Sequence, residues 1–417
     1  MELYYSFSIL IVIATIFYYL NLRFLKLPST IGIMVIAMIV SIALVFIGNL
    51  ITTGPLQNFS VLFKNIDFTE ILMNCMLNFL LFAGAIHINM SDLKEQKVPV
   101  MVFSTLSVII STFVVGFTLY FLLNVLLPEA LHLKISLVYC LLFGALISPT
   151  DPIAVLSILK QAKVSKSLET KVAGESLFND GVAVVVFAVI LKLAQGEAVD
   201  LSFTHISWLF IKEALGGFVV GVILGYIAAW AMKTAKDYKL SVLVTLSVVM
   251  GGALVAHSMH ISGPLTMVAA GLIIGESKRQ RHDENMHTNQ VGAFWELLDE
   301  VLNAILFLFI GFELLLIPNL HEYWLIGSIC ILVVLFARYI SIKIPTLIIP
   351  FKEKFSSGTI KILVWGGLRG GVSIALALSV PEGDMKPVLI AATYFVVVFS
   401  IIVQGLTIGK LANKIKI

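Results

Sequence analysis

Three carboxylates stand in two otherwise apolar stretches of the chain. Asp151 lies in SPTDPIAV, and Glu175 and Asp180 lie in GESLFNDGVAVVVF. An ionised aspartate at the centre of a bilayer costs roughly 2.5–3.5 kcal/mol on insertion scales, so such acids usually mark a path for ions or protons. These residue types therefore predict reversible binding of a small cation or a proton.

The two acids of the second stretch share a predicted helix with two polar residues. Ser176 and Asp180 are four positions apart and lie on one face, while Glu175 and Asn179 form a neighbouring pair. Hydrogen bonding between membrane helices explains residues such as Ser176 and Asn179. It does not explain two acids, which favours a functional role for Asp180 and Glu175. For Glu175 the structural alternative is an acid that only pairs with an arginine.

Asp151 stands at a predicted break in a helix. Pro149 and Pro152 flank Thr150 and Asp151 in the middle of a long apolar segment. Proline removes a backbone donor and disfavours helical geometry at the residue before it. Unwound carbonyls beside an acid are oxygen ligands suited to a small cation, and irregular backbone at this depth lines protein or a water-filled cavity. A simple proline kink is the structural alternative.

Two arginines lie inside predicted helices. Arg369 is surrounded by glycines in WGGLRGG, a second candidate break, and Arg338 lies in LVVLFARYISI, far from either end of its helix. A buried guanidinium requires a partner, and we expect Glu175 to be the partner of Arg338. Three acids and two arginines in one core leave one net negative charge, which one sodium ion or one proton balances.

The composition indicates what kind of fold positions these residues. Of the 417 residues, 59% are hydrophobic and 13% are charged, against about 25% charged in soluble proteins. This predicts an all-α polytopic membrane protein with a single transmembrane domain over 1–417 and a retained first helix. Apolar runs and their breakers predict thirteen transmembrane helices. They cover approximately 5–20, 28–48, 69–88, 98–123, 133–159, 171–195, 206–232, 239–257, 260–275, 294–316, 322–349, 359–380 and 387–410.

The distribution of basic residues predicts the orientation. With thirteen helices, most of the 28 lysines and arginines fall on one side of the membrane, which the positive-inside rule assigns to the cytoplasm. The N-terminus then lies outside and the C-terminus in the cytoplasm. The polar segment 276–290 is interpreted as a solvated cytoplasmic connection.

The two candidate breaks occupy corresponding places in the helix order. Helices one to six and eight to thirteen form two halves of opposite topology, so the breaks fall in the fifth and twelfth helices. Broken helices at matching positions of an inverted repeat point to the binding site of a transporter. We expect an ion-translocation core at about 98–195 and 322–410 and a scaffold for dimerisation at about 5–88 and 206–316.

The chain resembles a known family in its motifs and their order. TDP at 150–152, GESLFNDG at 174–181, Arg338 and GLRGG at 367–371 are similar to those of the NhaP-type sodium/proton exchangers, the electroneutral CPA1 monovalent cation:proton antiporters. The resemblance implies an NhaA-like fold with two crossing broken helices. It also implies a homodimer in the cell membrane that is a transporter without a cofactor and not an enzyme.

The resemblance implies roles for individual residues. The ligands of the transported Na⁺ or Li⁺ would be Asp180, Asp151, Ser176 and Thr150. Glu175 would reach the ion directly or through water. The structural and charge-compensating residues would be Asn179, which braces the broken helix, Arg338, which holds Glu175, and Arg369.

The expected activity is 1:1 exchange of Na⁺ or Li⁺ for H⁺ by alternating access at one carboxylate site, in the service of intracellular pH and sodium homeostasis. A K⁺/H⁺ antiporter on the same fold is the nearest alternative. An intramembrane aspartyl protease is disfavoured because the GxGD signature is absent and prolines flank Asp151. A sodium-coupled symporter of organic solutes would need a larger polar pocket. We expect membrane lipid as a partner, and neither an organic substrate nor nucleic acid.

Overall fold

The structure is a computed structural model of the chain. It describes residues 2–50, 71–126, 135–162, 164–196, 203–235, 237–280, 287–315, 317, 320–352 and 355–415. These residues form helices and the turns between them, and none of them lies in a strand. Helices suit an apolar chain because each satisfies its own backbone donors and acceptors without water.

The first half of the chain contains the first candidate break. Several of them continue into a π-helical turn, as α1 does over Asn21–Leu25 and α6 over Leu122–Leu126. The helices are α1 (Glu2–Leu20), α2 (Ser29–Leu50), α3 (Leu77–His87), α4 (Met90–Glu95), α5 (Lys97–Met101), α6 (Ser107–Phe121), α7 (Leu137–Leu146), α8 (Ile153–Gln161) and α9 (Lys166–Ala194).

The second half of the chain contains the second candidate break. A short 3-10 helix, Leu320–Tyr323, precedes α14. The helices are α10 (Phe203–Ala235), α11 (Tyr238–Met259), α12 (Gly263–Gln280), α13 (His287–Glu313), α14 (Trp324–Ile348), α15 (Ser357–Trp365), α16 (Gly371–Leu378), α17 (Met385–Phe399) and α18 (Gly405–Ile415).

The fold class predicted from composition is confirmed at the level of an all-helical membrane protein. Within the described part of the chain, seven helices are long and apolar enough to cross a membrane. Shorter apolar helices cover Ser29–Leu44, Leu77–His87 and Leu137–Leu146. Many apolar side chains at the helix surfaces are exposed, such as Trp230 and Leu254, as expected for residues that face lipid.

Helix boundaries differ from the predicted ones mainly at charged and polar ends. The helix predicted at 171–195 begins earlier, at Lys166, and the one predicted at 294–316 begins at His287. The short helix α4 was not predicted. Of the predicted connection 276–290, both ends are helical and residues 281–286 lie outside the described residues.

Small residues bring α3 and α12 into close contact. A Cβ atom built on Gly271 would lie 2.7 Å from Ala85 Cβ and 2.9 Å from the carbonyl oxygen of Phe82. Only glycine fits at that distance, which matches the use of small residues where membrane helices approach closely. This contact belongs to a part of the molecule separate from the two breaks, and it packs around buried Trp295.

Candidate ion-binding site

Two helix interruptions, one at the prolines beside Asp151 and one at the glycines around Arg369, lie against each other. Residues 147–152 separate α7 from α8, and residues 366–370 separate α15 from α16. The backbone N–H of Asp151 donates to the carbonyl of Leu368 over 2.8 Å. Prolines interrupt the first helix and glycines interrupt the second. Backbone groups that lose their helical hydrogen bond at one break find a hydrogen-bond partner at the other.

Arg369 joins the two breaks through its side chain. Its Nη1 donates to the carbonyl oxygens of Ser148 at 2.5 Å and Pro149 at 3.0 Å, and its backbone N–H donates to Ser400 Oγ at 2.8 Å. The residue is 2% exposed. Its positive charge lies where α7 ends and unpaired carbonyls accumulate, which is a favourable position for a cation.

Gly370 allows the second break to approach Asp151. A Cβ atom at Gly370 would lie 2.6 Å from Asp151 Oδ2 and 2.7 Å from Asp151 Cβ. Any other residue would have to displace the aspartate. The glycine therefore holds a position for the Asp151 carboxylate rather than merely weakening a helix.

Thr150, Ser176 and Asn179 form a buried hydrogen-bond network beside the acids. Thr150 Oγ1 lies 2.9 Å from Ser176 Oγ, and Asn179 Nδ2 donates to Thr150 Oγ1 over 2.8 Å. The backbone N–H of Thr150 donates to Asn179 Oδ1 at 3.4 Å. All three side chains are at most 3% exposed. The amide of Asn179 thus connects α9 to the first break through both its nitrogen, as a donor, and its oxygen, as an acceptor.

Asp180 lies one residue further along α9 and is 6% exposed. Its Oδ1 is buried and has no hydrogen-bond partner among the described residues, and its charge interacts with those of Asp151 and Arg369. A buried polar atom without a partner costs about 1–3 kcal/mol, and more for a charged group. Such an atom is available to bind a cation or a proton.

Glu175 and Arg338 form the ion pair expected from the sequence. Arg338 Nη1 lies 2.5 Å from Glu175 Oε1, and both residues are buried. Arg338 Nη2 also donates to the carbonyl of Leu363 at 2.9 Å. A Cβ atom at Gly367 would lie 2.5 Å from Arg338 Nε, so the second break also makes room for this guanidinium. Glu175 is directed to the arginine and is not among the residues that line the cavity described next.

A cavity of about 740 Å³ connects the two aspartates with one face of the molecule. Thr150, Asp151 and Asp180 line it, and so do Lys160 and Lys166. Thr150 and Asp180 are buried and the two lysines are exposed, so the lysines mark the mouth of the cavity. The mouth therefore lies on the face that bears the basic connections. Ser176 does not line the cavity itself but reaches it through its bond to Thr150.

One wall of the cavity is an acidic face that sequence reasoning missed. Glu296, Asp299, Glu300 and Asn303 of α13 line it, and Tyr18 Oη donates to Glu300 Oε1 over 2.8 Å. The signal was present in WELLDEVLN, because positions i, i+3, i+4 and i+7 share one helix face. These acids surround the route to Asp151 with negative potential, which concentrates cations.

The fold and the site together define a class. An all-helical membrane protein in which two interrupted helices meet beside buried acids has the organisation of an ion-coupled secondary transporter.

Comparison with known proteins identifies the family. The sequence profile of the sodium/hydrogen exchanger transmembrane family matches residues 11–414, and the chain belongs to this family. It is 44% identical over 417 aligned residues to the Na⁺/H⁺ antiporter NhaP of Pseudomonas aeruginosa, covering 97% of this chain and 95% of that protein. It is 34% identical to the Na⁺/H⁺ antiporter NhaH of Halobacillus aidingensis, covering 90% and 91%.

A solved structure shows the same fold. The sodium proton antiporter MjNhaP1 from Methanocaldococcus jannaschii superposes with a TM-score of 0.76, covering 100% of this chain and 99% of that one, at 21% identity. The resemblance read from the motifs is thus confirmed. The family consists of membrane transporters, so the prediction that the chain is not an enzyme is confirmed as well.

Proposed function

We propose that the protein exchanges Na⁺ or Li⁺ for H⁺ across the cytoplasmic membrane at one site formed by Asp180 and Asp151. The observation that carries this proposal is the partnerless Oδ1 of Asp180, buried beside a second acid at the closed end of a cavity. A carboxylate pair in such a place accepts either a metal ion or a proton. Competition between the two couples their transport.

Oxygen atoms around the pair suit a hard monovalent cation. In our proposal the carboxylates of Asp180 and Asp151 bind the ion together with the hydroxyl of Thr150, and Ser176 supports that hydroxyl at 2.9 Å. Asn179 holds Thr150 in place from the other side. Carboxylate, hydroxyl and carbonyl oxygens are the ligands that hard cations prefer.

Charge balance supports 1:1 exchange. Arg338 neutralises Glu175 within an ion pair, and Arg369 contributes one positive charge beside the two aspartates. The remaining single negative charge is balanced equally by one Na⁺ or one H⁺. Moving one net charge through 100 mV is worth about 2.3 kcal/mol, so an electroneutral exchanger is insensitive to membrane potential and a 2:1 exchanger is not.

The transport cycle we propose is alternating access in a homodimer. The core of 98–195 and 322–410 moves against the scaffold of 5–88 and 206–316, within thirteen helices arranged as two inverted repeats. The basic residues at the cavity mouth support a cytoplasmic opening. The N-terminus then lies outside, and the cycle serves pH and sodium homeostasis.

The names of the relatives favour Na⁺ over K⁺ as the transported ion, whereas the ligand atoms alone do not. Proteoliposomes loaded with a pH-sensitive dye and pulsed with Na⁺, Li⁺ or K⁺ separate these possibilities. We expect a pH change with Na⁺ and Li⁺. A response to K⁺ alone would replace our proposal with K⁺/H⁺ exchange.

The same assay tests the site. Asp180→Asn keeps the size of the side chain but removes its charge, and we expect it to abolish exchange. Glu382→Gln is the matched control, because this glutamate side chain is 90% exposed, and it should exchange like the wild type. Exchange that persists in Asp180→Asn would refute the assignment of Asp180 to the ion site. A large effect of a clamped membrane potential on the exchange equilibrium would refute the 1:1 ratio.

A further inference from the structure

A third buried acid, besides Glu175 and Asp180, lies outside the site described above. Glu313 ends α13, is 3% exposed, and its Oε2 has no hydrogen-bond partner among the described residues. Phe312 and Ile317 beside it are buried in the main apolar cluster. A carboxyl oxygen without a hydrogen-bond partner among apolar side chains is costly, and buried acids in membrane proteins are usually functional.

Glu313 lies on the far side of the ion site from the cavity. Leu306 of the same helix lines the cavity, and seven residues of helix separate it from Glu313, which is about 10 Å along the axis. Leu306 also packs against the position of Gly371 at the second break. Ser41 Oγ donates to the carbonyl of Gly311 at 3.0 Å and joins α2 to this part of α13.

Tyr394 of α17 is the second polar group in this layer. It is 3% exposed, its hydroxyl has no partner among the described residues, and it interacts electrostatically with Glu313. Six residues later, Ser400 accepts the backbone N–H of Arg369 at the ion site, so Tyr394 is about 9 Å from that level along the helix. Both groups therefore lie beyond the site.

The described ionisable side chains on the neighbouring helices have other surroundings. The sequences of α2 and α16, which pack against α13, contain none. On α1, Tyr18 bonds Glu300, and on α3, His87 lines the cavity at the opposite end. His257 of α11 is exposed. Of the groups named here, Tyr394 is the one that interacts electrostatically with Glu313.

The two groups belong to the two parts that the proposed cycle moves against each other. Glu313 ends a scaffold helix, and Tyr394 lies on a core helix. If this boundary only had to stay closed, apolar side chains would close it at a lower free-energy cost than a buried acid. When the boundary opens, water reaches Glu313. Its carboxylate then lines the opposite mouth of the path with a negative charge.

We propose that Glu313 and Tyr394 form an outer subsite that exchanges a proton for the transported monovalent cation when the protein opens to the outside. With the outer path closed, Glu313 carries the proton and Tyr394 lies beside it as a neutral hydroxyl. On opening, Glu313 releases that proton to external water and its carboxylate attracts the incoming cation, and closure reverses the exchange. This proposal rests on the proposed antiport activity.

Oriented membrane vesicles test the outer subsite. Everted vesicles expose the cytoplasmic face to added Na⁺, and right-side-out vesicles expose the outer face. We expect Glu313→Gln to raise the apparent KM for Na⁺ about tenfold at the outer face and to flatten its dependence on external pH. At the cytoplasmic face the KM should be unchanged. Glu322→Gln is the matched control, because this nearby glutamate is exposed.

A second, milder variant tests the same subsite in case Glu313→Gln does not fold. Tyr394→Phe keeps the ring and removes the hydroxyl, and we expect a smaller shift of the outer KM, about threefold, in the same direction. Equal changes at both faces in both variants, or no change at the outer face, would overturn the proposal. If the wild type exchanges no Na⁺ for H⁺, the proposed function itself fails, which is a different result.

Discussion

Removal of Arg338 tests the architecture of the site most sharply. Arg338→Met deletes the guanidinium that lies 2.5 Å from Glu175 and that donates to the carbonyl of Leu363. The methionine fills part of the same volume. The variant therefore leaves Glu175 as a buried carboxylate without its cation.

The expected cost follows from the burial of the pair. The side chains of Arg338 and Glu175 are 7% and 2% exposed. Breaking a buried ion pair by removing one partner costs about 3–5 kcal/mol, because the remaining charge is uncompensated. Replacing both charges by apolar groups of similar volume is often neutral in comparison. We therefore expect Arg338→Met to be strongly destabilising and the double variant with Glu175→Met to recover most of the loss.

The assay is the free energy of unfolding in mixed micelles, measured for both single variants and the double variant. The pair of Lys386 and Glu382 provides the control, because it has nearly the same distance, 2.8 Å, but one side chain is 90% exposed. Exposed pairs contribute about 0–1 kcal/mol, so Lys386→Met should be nearly neutral. Our account of the pair would be refuted if Lys386→Met and Arg338→Met lowered the free energy of unfolding equally. It would also be refuted if the effects of Arg338→Met and Glu175→Met added strictly in the double variant.

Three further outcomes follow from the geometry of the site. Gly370→Ala forces a methyl group to within 2.6 Å of Asp151 Oδ2. The apparent KM for Na⁺ in proteoliposomes should therefore rise about tenfold or more, which is a loss of about 1.4 kcal/mol of binding free energy. Gly383→Ala is the control, because a Cβ there meets open space, and it should leave the KM unchanged. Asn179→Ala removes both bonds to Thr150, so the exchange rate should fall about tenfold at saturating Na⁺, and an unchanged rate would exclude the bracing role. Because protons compete with Na⁺, the KM for Na⁺ should decrease as pH rises, by up to about tenfold per unit where the site is protonated, and a KM independent of pH would contradict competition.

Much of the site was predictable because its positions follow from local rules. The two prolines beside Asp151 and the cluster of glycines around Arg369 disfavour helical backbone locally, so both candidate breaks could be placed from the local sequence. The pairing of Glu175 with Arg338 was predictable for a different reason, since a buried guanidinium needs a buried carboxylate. The helices themselves followed from long apolar runs.

The parts that were missed depend on tertiary contacts. The acidic face of α13 was an ordinary amphipathic pattern until the structure placed Glu296 and Asp299 along the cavity. The bonds from Arg369 to the carbonyls of Ser148 and Pro149 join residues more than two hundred positions apart. Glu313 ends its helix, where an acid is commonly solvated, and only the packing around it shows that it is buried.

The central claim is that one Na⁺ and one proton compete for the carboxylate pair. It is tested most directly by adding Na⁺ to the purified protein in a weakly buffered detergent solution and counting the protons released per ion bound. We predict one proton per Na⁺ for the wild type at a pH where the pair is protonated, and no release in Asp180→Asn. Binding of Na⁺ without proton release by the wild type, or unchanged release in Asp180→Asn, would contradict it.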